Sequence, residues 1–152
     1  MNYIGIDPGS RGGVAVLNDD DGIAALYSFF KLTPHEIWKI FKTYSVGPAH
    51  AVIEKVNGFP GMSVVSVSTF MENYGILQGL MTALGIPFDR VPPLTWKREM
   101  GLTRKSGKTN RKERKQLSMN LAKKFFPYRE GITDDTAEAL LLAVYCRDGF
   151  KD

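Results

Sequence analysis

Short apolar runs separated by polar turns fill the beginning of the chain and predict three antiparallel strands. Residues 2–7 and 12–18 are rich in Val and Ile, and the loop between them carries Pro and Gly. A second turn signal, the sequence NDDDG at 18–22, leads into a third apolar run at 23–30. Strands joined by such short turns pair as hairpins, so we expect the three to lie side by side in chain order.

The rest of the pattern alternates helical and extended segments. Thr33 is predicted to cap a first helix with Pro34 at its first position. The apolar runs then predict, in order, a buried central strand at 49–56, a helix at 65–84, a strand at 87–91, a basic loop, a helix at 110–126 and a last helix at 134–148. We expect Gly75 and Gly79 to let the second helix pack closely on the sheet.

This order of elements fits an α/β fold of the ribonuclease H type, although the order alone leaves several other folds open. We expect a mixed five-stranded sheet, with the three antiparallel strands first, flanked by helices. With 152 residues, 43% of them hydrophobic, the chain is predicted to form one domain over residues 1–152.

Charge is unevenly distributed along the chain, which has 20 Lys and Arg against 16 Asp and Glu and a net charge of +4. The segment 97–124 holds eleven of the basic residues and two of the acidic ones, so the remainder of the chain is acidic. This asymmetry predicts a cationic face that binds a polyanion; a solvated basic loop is the alternative.

The sequence offers little for cysteine or histidine chemistry. Cys146 is the single cysteine, which excludes an internal disulfide and a cysteine-cluster zinc site. His35 and His50 stand apart from it and from each other, so we interpret both as structural or surface residues. The start of the chain lacks a signal pattern and no apolar stretch is long enough to cross a bilayer, so we expect a cytoplasmic protein.

Carboxylates interrupt the apolar pattern at three separate places. Asp7 closes the first strand, Glu54 lies within the central strand, and Asp135 and Glu138 begin the last helix on one helical face. An unpaired carboxylate within a buried strand opposes folding by several kcal/mol, so it needs a partner. If the four carboxylates converge, Mg²⁺ or Mn²⁺ is the natural partner, and two such ions about 4 Å apart hydrolyse phosphodiesters.

Each acidic residue also has a purely structural interpretation. Asp7 before Pro-Gly fits a turn, Glu54 fits an exposed strand edge, and Asp135 fits the stabilisation of a helix N-terminus. Asp134 is interpreted as an N-terminal cap or an accessory group behind the ligands. A single metal site, however, explains the four predicted ligands together.

Three motifs of the chain resemble those of a known family. GIDPGSR at 5–11, VIEKV at 52–56 and DDTAEALLLAVY at 134–145 are similar, in this order, to the acidic motifs of RuvC-type Holliday-junction resolvases, particularly the short phage-like and organellar branch. The resemblance implies a homodimeric endonuclease with an RNase H-like fold. Such an enzyme binds four-way DNA junctions and makes symmetric paired nicks with Mg²⁺, with two ions per active site and with Mn²⁺ as a substitute.

The resemblance assigns the metal-binding and catalytic acids residue by residue. Asp7 matches the aspartate of the first strand, Glu54 the glutamate of the central strand, and Asp135 the first acid of the helix motif. Glu138 matches the second helix acid, where many members have Asp, so this ligand is one methylene longer.

The resemblance also places basic side chains near the scissile phosphate. Lys112 is the best match for the helix lysine and Lys97 is a second candidate, while the register among Lys112, Arg114 and Lys115 stays open. A lysine there stabilises charge that develops on the phosphate. The other predicted DNA contacts are Arg104, Lys105, Lys108, Arg111 and Lys115.

Two further segments are candidates for contacts with the junction and with a second copy, the first of them from the resemblance and the second from its small residues. In the loop NGFPGMS at 57–63, Phe59 or Met62 would insert into the junction centre and unstack a base pair, and simple packing is the alternative. The sequence YGILQGLMTALG at 74–85 is rich in small residues and could form the dimer face, whereas packing on its own sheet is the simpler use.

Other functions compete with this interpretation. The sequence IGIDPGSRGGVAVL also resembles a phosphate-binding hairpin of actin-like ATPases, but those enzymes need two related domains. SGKT at 106–109 resembles the end of a P-loop, but Gly101 is one residue too far away for the required spacing. A different RNase H-type nuclease, acting on branched DNA or RNA–DNA hybrids, and a DNA-binding module without catalysis are the remaining alternatives.

Overall fold

The computed structural model describes residues 1–20, 22–55, 61–103 and 110–149. The strands within these ranges are β1 (Asn2–Asp7), β2 (Gly13–Leu17), β3 (Ile23–Ser28), β4 (Ala49–Glu54) and β5 (Phe88–Val91). The helices are α1 (Pro34–Tyr44), α2 (Val64–Ala83), α3 (Pro93–Glu99), α4 (Arg111–Phe125) and α5 (Ala137–Asp148). None of these described helices has the length and apolar character that a membrane span requires.

The strands form one five-stranded sheet in the order β3-β2-β1-β4-β5. β1 and β2, and β2 and β3, pair antiparallel, whereas β1 and β4, and β4 and β5, pair parallel. The predicted mixed sheet with three antiparallel strands first is therefore confirmed. Because Ile6 lies opposite Ile53 in the parallel pair, the residues that follow them, Asp7 and Glu54, end at the same edge of the sheet.

Helix α5 packs directly on β1 because Gly5 has no side chain. A Cβ atom at Gly5 would lie 2.1 Å from both the carbonyl oxygen of Ala139 and the amide nitrogen of Ala143, closer than any atoms can pack. A larger residue at this position would push the helix away from the strand. The close approach brings the first turn of α5, which carries Glu138, next to the end of β1.

The opposite face of the sheet is covered by α1 and α2. On this face, alternate residues of β1 and β2 form a hydrophobic core with the two helices, because successive side chains of a strand point to opposite faces of the sheet. The strand residues are Ile4, Ile6, Val14 and Val16, and the buried helix residues are Ile37, Phe41, Tyr74, Leu77 and Met81.

Helix α3 occupies the start of the segment that the sequence predicts as a basic loop. Pro92 and Pro93 end β5 as predicted, but Pro93 also takes the first helical position, where its missing N–H is not needed. Trp96 is completely buried and anchors the helix to the core around α5. The short helix was missed because Trp96 is its single buried residue, so its sequence shows no apolar periodicity.

Helix α5 begins at Ala137, so the prediction that Asp135 and Glu138 share one helical face is wrong. Asp135 lies in the turn that precedes the helix. The hydroxyl of Thr136 accepts a hydrogen bond from the N–H of Thr133 at 2.9 Å and donates to the carbonyl of Gly131 at 3.0 Å. This threonine thereby closes a local turn that competes with another turn of helix.

Gly75 and Gly79 do not pack on the sheet, contrary to the expectation from sequence. Both are exposed, and no atom lies within 4 Å of the position that a Cβ would occupy. The buried side of α2 is formed instead by Tyr74, Leu77 and Met81. The glycines thus open a shallow strip on the outer side of α2.

Candidate active site

Three carboxylates from distant parts of the chain meet where β1 and β4 end. Asp7 and Glu54 are the last residues of these strands, and Glu138 belongs to the first turn of α5. Their negative charges repel one another, Asp7 against Glu138 and both against Glu54. The structure thus brings three of the four predicted acidic residues together, and we refer to these three as the acidic cluster.

Asp7 is partly buried at the end of β1. Burial is the main reason that its pKa rises to about 6, and repulsion from Glu138 adds to the increase. The N–H of Gly9, which donates to Oδ1 at 3.1 Å, and the charges of Lys97 and Lys115 act in the opposite direction. A carboxylate whose ionisation is this unfavourable is suited to bind a cation.

Glu54 is buried but has two partners on one oxygen. The indole Nε1 of Trp96 donates to Oε2 at 2.7 Å, and Nζ of Lys97 lies 3.9 Å from the same oxygen. Burial nevertheless raises the pKa of Glu54 to about 7; repulsion from Asp7 and Glu138 adds to the increase, while Lys97 and the Trp96 hydrogen bond oppose it. Glu54 is therefore close to half ionised at neutral pH.

Lys97 joins two members of the acidic cluster. Its ammonium lies 3.0 Å from the carboxylate of Glu138 as well as 3.9 Å from Glu54. The hydroxyl of Ser118, on α4, donates to the other side of Glu138 at 2.9 Å. One ammonium therefore offsets part of the charge of three carboxylates, and the cluster keeps a negative balance.

Two members of the acidic cluster face a cavity of about 720 Å³. Asp7 and Glu138 line it, together with the basic residues Arg111, Arg114 and Lys115 of α4. The α2 residues that line it are Val65, Ser66, Thr69, Phe70 and Asn73. The cavity thus combines a cationic helix, which attracts an anionic chain, with carboxylates at its base.

Asp135, the fourth predicted acid, contacts different partners. Nε of Arg11 lies 3.4 Å from its Oδ1, and the hydroxyl of Ser28 donates to its Oδ2 at 3.2 Å. The adjacent Asp134, interpreted from sequence as a cap or accessory group, lines the same cavity as Asp7. The structure therefore leaves Asp135 beside the acidic cluster, turned toward the β1–β2 loop.

The basic side chains of α4 point in different directions. Lys115 lines the cavity and acts electrostatically on Asp7, whereas Lys112 is exposed and is not among the lining residues. With 3.6 residues per turn, the face that carries Arg111, Lys115 and Ser118 turns Lys112 outward. The geometry thus favours Lys115 and Lys97 over Lys112 as the lysines nearest the acidic cluster.

The remaining predicted DNA contacts divide into two groups. Met62, which is exposed, and Arg111 line the cavity. Phe59, Arg104, Lys105 and Lys108 lie outside the described residues.

Sequence reasoning missed four residues whose side chains contact the acids, namely Arg11, Ser28, Trp96 and Ser118. Trp96 could have been found from its place directly before a candidate lysine, and Ser118 from its position one helical turn after Lys115. Arg11 is the last residue of the motif GIDPGSR; its guanidinium also lies 4.7 Å from the ring centroid of Phe30, in a cation–π contact.

The donor set of the acidic cluster fits a hard divalent cation. Asp7, Glu54 and Glu138 supply only oxygen ligands, which Mg²⁺ and Mn²⁺ prefer. As the side chains stand, no group of three or more His, Cys, Asp or Glu residues in the described ranges is arranged to hold a metal ion. Lys97 instead neutralises two of the carboxylates.

The strand order and the carboxylates at the ends of β1 and β4 define an α/β fold of the RNase H-like class. A structure of Thermus thermophilus RuvC in complex with Holliday junction substrate is 16% identical and has a TM-score of 0.61, over 98% of this chain and 97% of that one. A second Thermus thermophilus RuvC structure is 15% identical with a TM-score of 0.57, over 99% and 98% of the two chains. These similarities confirm the predicted fold class.

Comparison at the level of sequence gives no match. No family model and no curated protein matches this chain.

Proposed function

We propose that this protein is a nuclease that resolves four-way DNA junctions by hydrolysing phosphodiesters with the aid of divalent cations. The observation that carries the proposal is the meeting of Asp7, Glu54 and Glu138, from three distant segments, beside a cavity that Asp7, Glu138 and a basic helix line. The RNase H-like fold, shared over 98% of the chain with a RuvC that was solved on a Holliday junction, supports it.

The described residues divide the proposed reaction between them. Asp7, Glu54 and Glu138 would hold the cation, which supplies an activated water and stabilises the leaving oxygen. Arg111 and Lys115 would contact the phosphates of the strand to be cut. Two roles remain predictions from the resemblance: that of Asp135 as a fourth ligand and that of Lys112 at the phosphate.

Lys97 has a distinct place in this proposal. In the structure its ammonium neutralises Glu54 and Glu138. A divalent cation bound to the same carboxylates would take over that task, and Lys97 would then be available to the scissile phosphate. A lysine so placed stabilises the charge that develops there.

We further propose that the protein acts as a homodimer through the outer side of α2. Gly75 and Gly79 leave this side open, and Val64 and Met71 on the same helix are 85% and 44% exposed. A helix that is apolar on its outer side as well as its inner side is typically buried on both. Two copies would present two active sites, as paired symmetric nicks require.

The experiment that tests the function is a cleavage assay on a synthetic four-way junction with Mg²⁺, each strand being labelled in turn. Paired nicks at symmetric positions would support the proposal. An intact junction beside a degraded RNA–DNA hybrid would show a different RNase H-type nuclease, and no cleavage of either would indicate a binding module. A DNA substrate is in keeping with the cytoplasmic location expected from sequence.

Matched variants make the assay specific to the site. Asp7→Asn removes one proposed ligand and should abolish Mg²⁺-dependent cleavage while junction binding persists. Asp20→Asn makes the same chemical change at an exposed turn residue and should cleave normally. Equal activity of both variants would contradict the role of the acidic cluster.

A further inference from the structure

Trp96 makes a contact that packing alone does not require. The side chain is completely buried in the core around α5, so its ring has a fixed direction. Its single polar atom, Nε1, points at the acidic cluster and donates to Oε2 of Glu54 at 2.7 Å. An aromatic side chain of the core thus reaches into the candidate active site with its only hydrogen-bond donor.

This hydrogen bond fixes one oxygen of Glu54. A carboxylate at the end of a strand can rotate about its own side-chain bonds, and each orientation presents different oxygens to the cavity. A hydrogen bond to a charged acceptor is short and stronger than a neutral one. With Oε2 held by the indole, the plane of the carboxylate is restricted, and with it the direction of Oε1.

The rest of the cluster shows why such a restraint matters. Lys97 lies 3.9 Å from Glu54 but 3.0 Å from Glu138, so its ammonium is the closer partner of Glu138. If a cation displaces Lys97, the bond to Trp96 is the contact of Glu54 that persists. The hydrogen bond from Trp96 therefore defines the orientation of Glu54 both with Lys97 in place and with a cation bound.

We propose that Trp96 is a positioning residue that orients Glu54 to bind the divalent cation of the active site. The inference rests on the proposed function, since it concerns the same site. Groups that hydrogen-bond to a metal-binding side chain typically contribute about tenfold to a hundredfold in metal affinity or activity. Trp96 is thus expected to act through Glu54, without touching the DNA or the cation.

The test removes the indole N–H and keeps the shape of the ring. The chain has two tryptophans, Trp38 and Trp96, so Trp38→Phe leaves Trp96 alone. Expression of that variant in a tryptophan auxotroph supplied with benzothienylalanine replaces the N–H of residue 96 by sulfur within a ring of nearly the same size. Trp38 is on α1, stacked on His35, and its replacement should not alter the site.

The measurements compare this analogue with the Trp38→Phe parent. The first is the Kd for Mn²⁺ by isothermal titration calorimetry without DNA, and the second is the Mn²⁺ concentration that gives half-maximal junction cleavage. We expect both to rise about tenfold or more in the analogue, with kcat at saturating Mn²⁺ changing less. Thermal unfolding of the analogue and the parent is measured in parallel to compare their stability. Trp96→Phe also lacks the N–H donor and should reproduce the loss of Mn²⁺ affinity.

The outcomes separate the two proposals. An analogue that binds Mn²⁺ as tightly as the parent would make Trp96 a packing residue only and would overturn the inference. If the parent binds Mn²⁺ but cuts no junction, the proposed function is wrong, while the two affinities still decide the role of Trp96. A parent that binds no Mn²⁺ overturns the inference as well.

Discussion

Replacing Glu54 by Gln should stabilise the metal-free protein at alkaline pH, although it removes a proposed ligand. Burial is the main cause that raises the pKa of Glu54 from 4.5 to about 7 in the folded chain. The folded state therefore binds this proton more tightly than the unfolded chain does. The resulting stability is complete below the unfolded pKa and is lost as the pH rises through the folded pKa, between about 4.5 and about 7.

The size of the effect follows from the two pKa values. A rise from 4.5 to about 7 corresponds to about 3 kcal/mol, since one pH unit is worth about 1.4 kcal/mol. Gln keeps the shape of the side chain and an oxygen that can accept from Trp96, but it does not ionise. The two proteins should be equally stable near pH 4, and Glu54→Gln should be more stable by up to about 3 kcal/mol near pH 8.

The assay is urea unfolding from pH 4 to 8.5 in EDTA, followed by circular dichroism. Glu36→Gln is the control of opposite sign, because hydrogen bonds from the backbone and side chain of Thr33 lower the pKa of Glu36. Its contribution is present above the unfolded pKa and lost as the pH falls, so this variant should be the less stable protein at pH 8. A difference between Glu54→Gln and the native chain that does not vary with pH would refute the reasoning.

Three further changes test other parts of the structure. Lys97→Ala removes the ammonium beside Glu54 and Glu138 and should lower the free energy of unfolding by about 3 kcal/mol at pH 8 in EDTA. Chemical unfolding should show that Mg²⁺ restores part of this stability, and a loss that Mg²⁺ does not change would contradict the proposed replacement of Lys97 by a cation. In single-turnover assays, Lys115→Ala should slow junction cleavage about tenfold or more, whereas Lys112→Ala should have little effect. Equal losses of rate in the two variants would contradict the orientation of α4. If the protein forms the proposed dimer, Gly79→Leu should convert it to a monomer in sedimentation experiments without lowering the melting temperature of the monomer. An unchanged dimer would contradict an interface on the outer side of α2.

Features that depend on local pattern could be predicted from the sequence. The strands β1, β2 and β3 follow from alternating apolar runs and strong turn signals, and the parallel strand β4 follows from its short apolar run. The ends of these strands also locate two of the acids, because Asp7 and Glu54 are charged residues in segments that are otherwise buried. Strand order then determines which edge of the sheet they share.

Features that depend on tertiary contacts could not be predicted in this way. Helix α3 has one buried anchor, Trp96, so its sequence shows no apolar periodicity. The start of α5 is set by the local turn of Thr136, which leaves Asp135 outside the helix; the acidic and apolar pattern of the segment does not reveal this turn. For α3, the deciding contact is the packing of Trp96 against residues distant in the sequence, which becomes visible only once the chain has folded.

The distribution of charge in the cavity gives the order in which its partners should bind. Asp7, Glu54 and Glu138 carry more negative charge than Lys97 offsets and repel a phosphate, whereas Arg111 and Lys115 on α4 attract one. Without a divalent cation, DNA should therefore bind through α4 with a steep dependence on salt, but its backbone cannot approach Asp7 closely. A bound divalent cation would offset the remaining negative charge of the acids, and attraction by α4 and approach to the acids would then act in the same direction. Junction binding in EDTA together with cleavage only after a divalent cation is added is the behaviour that this arrangement requires.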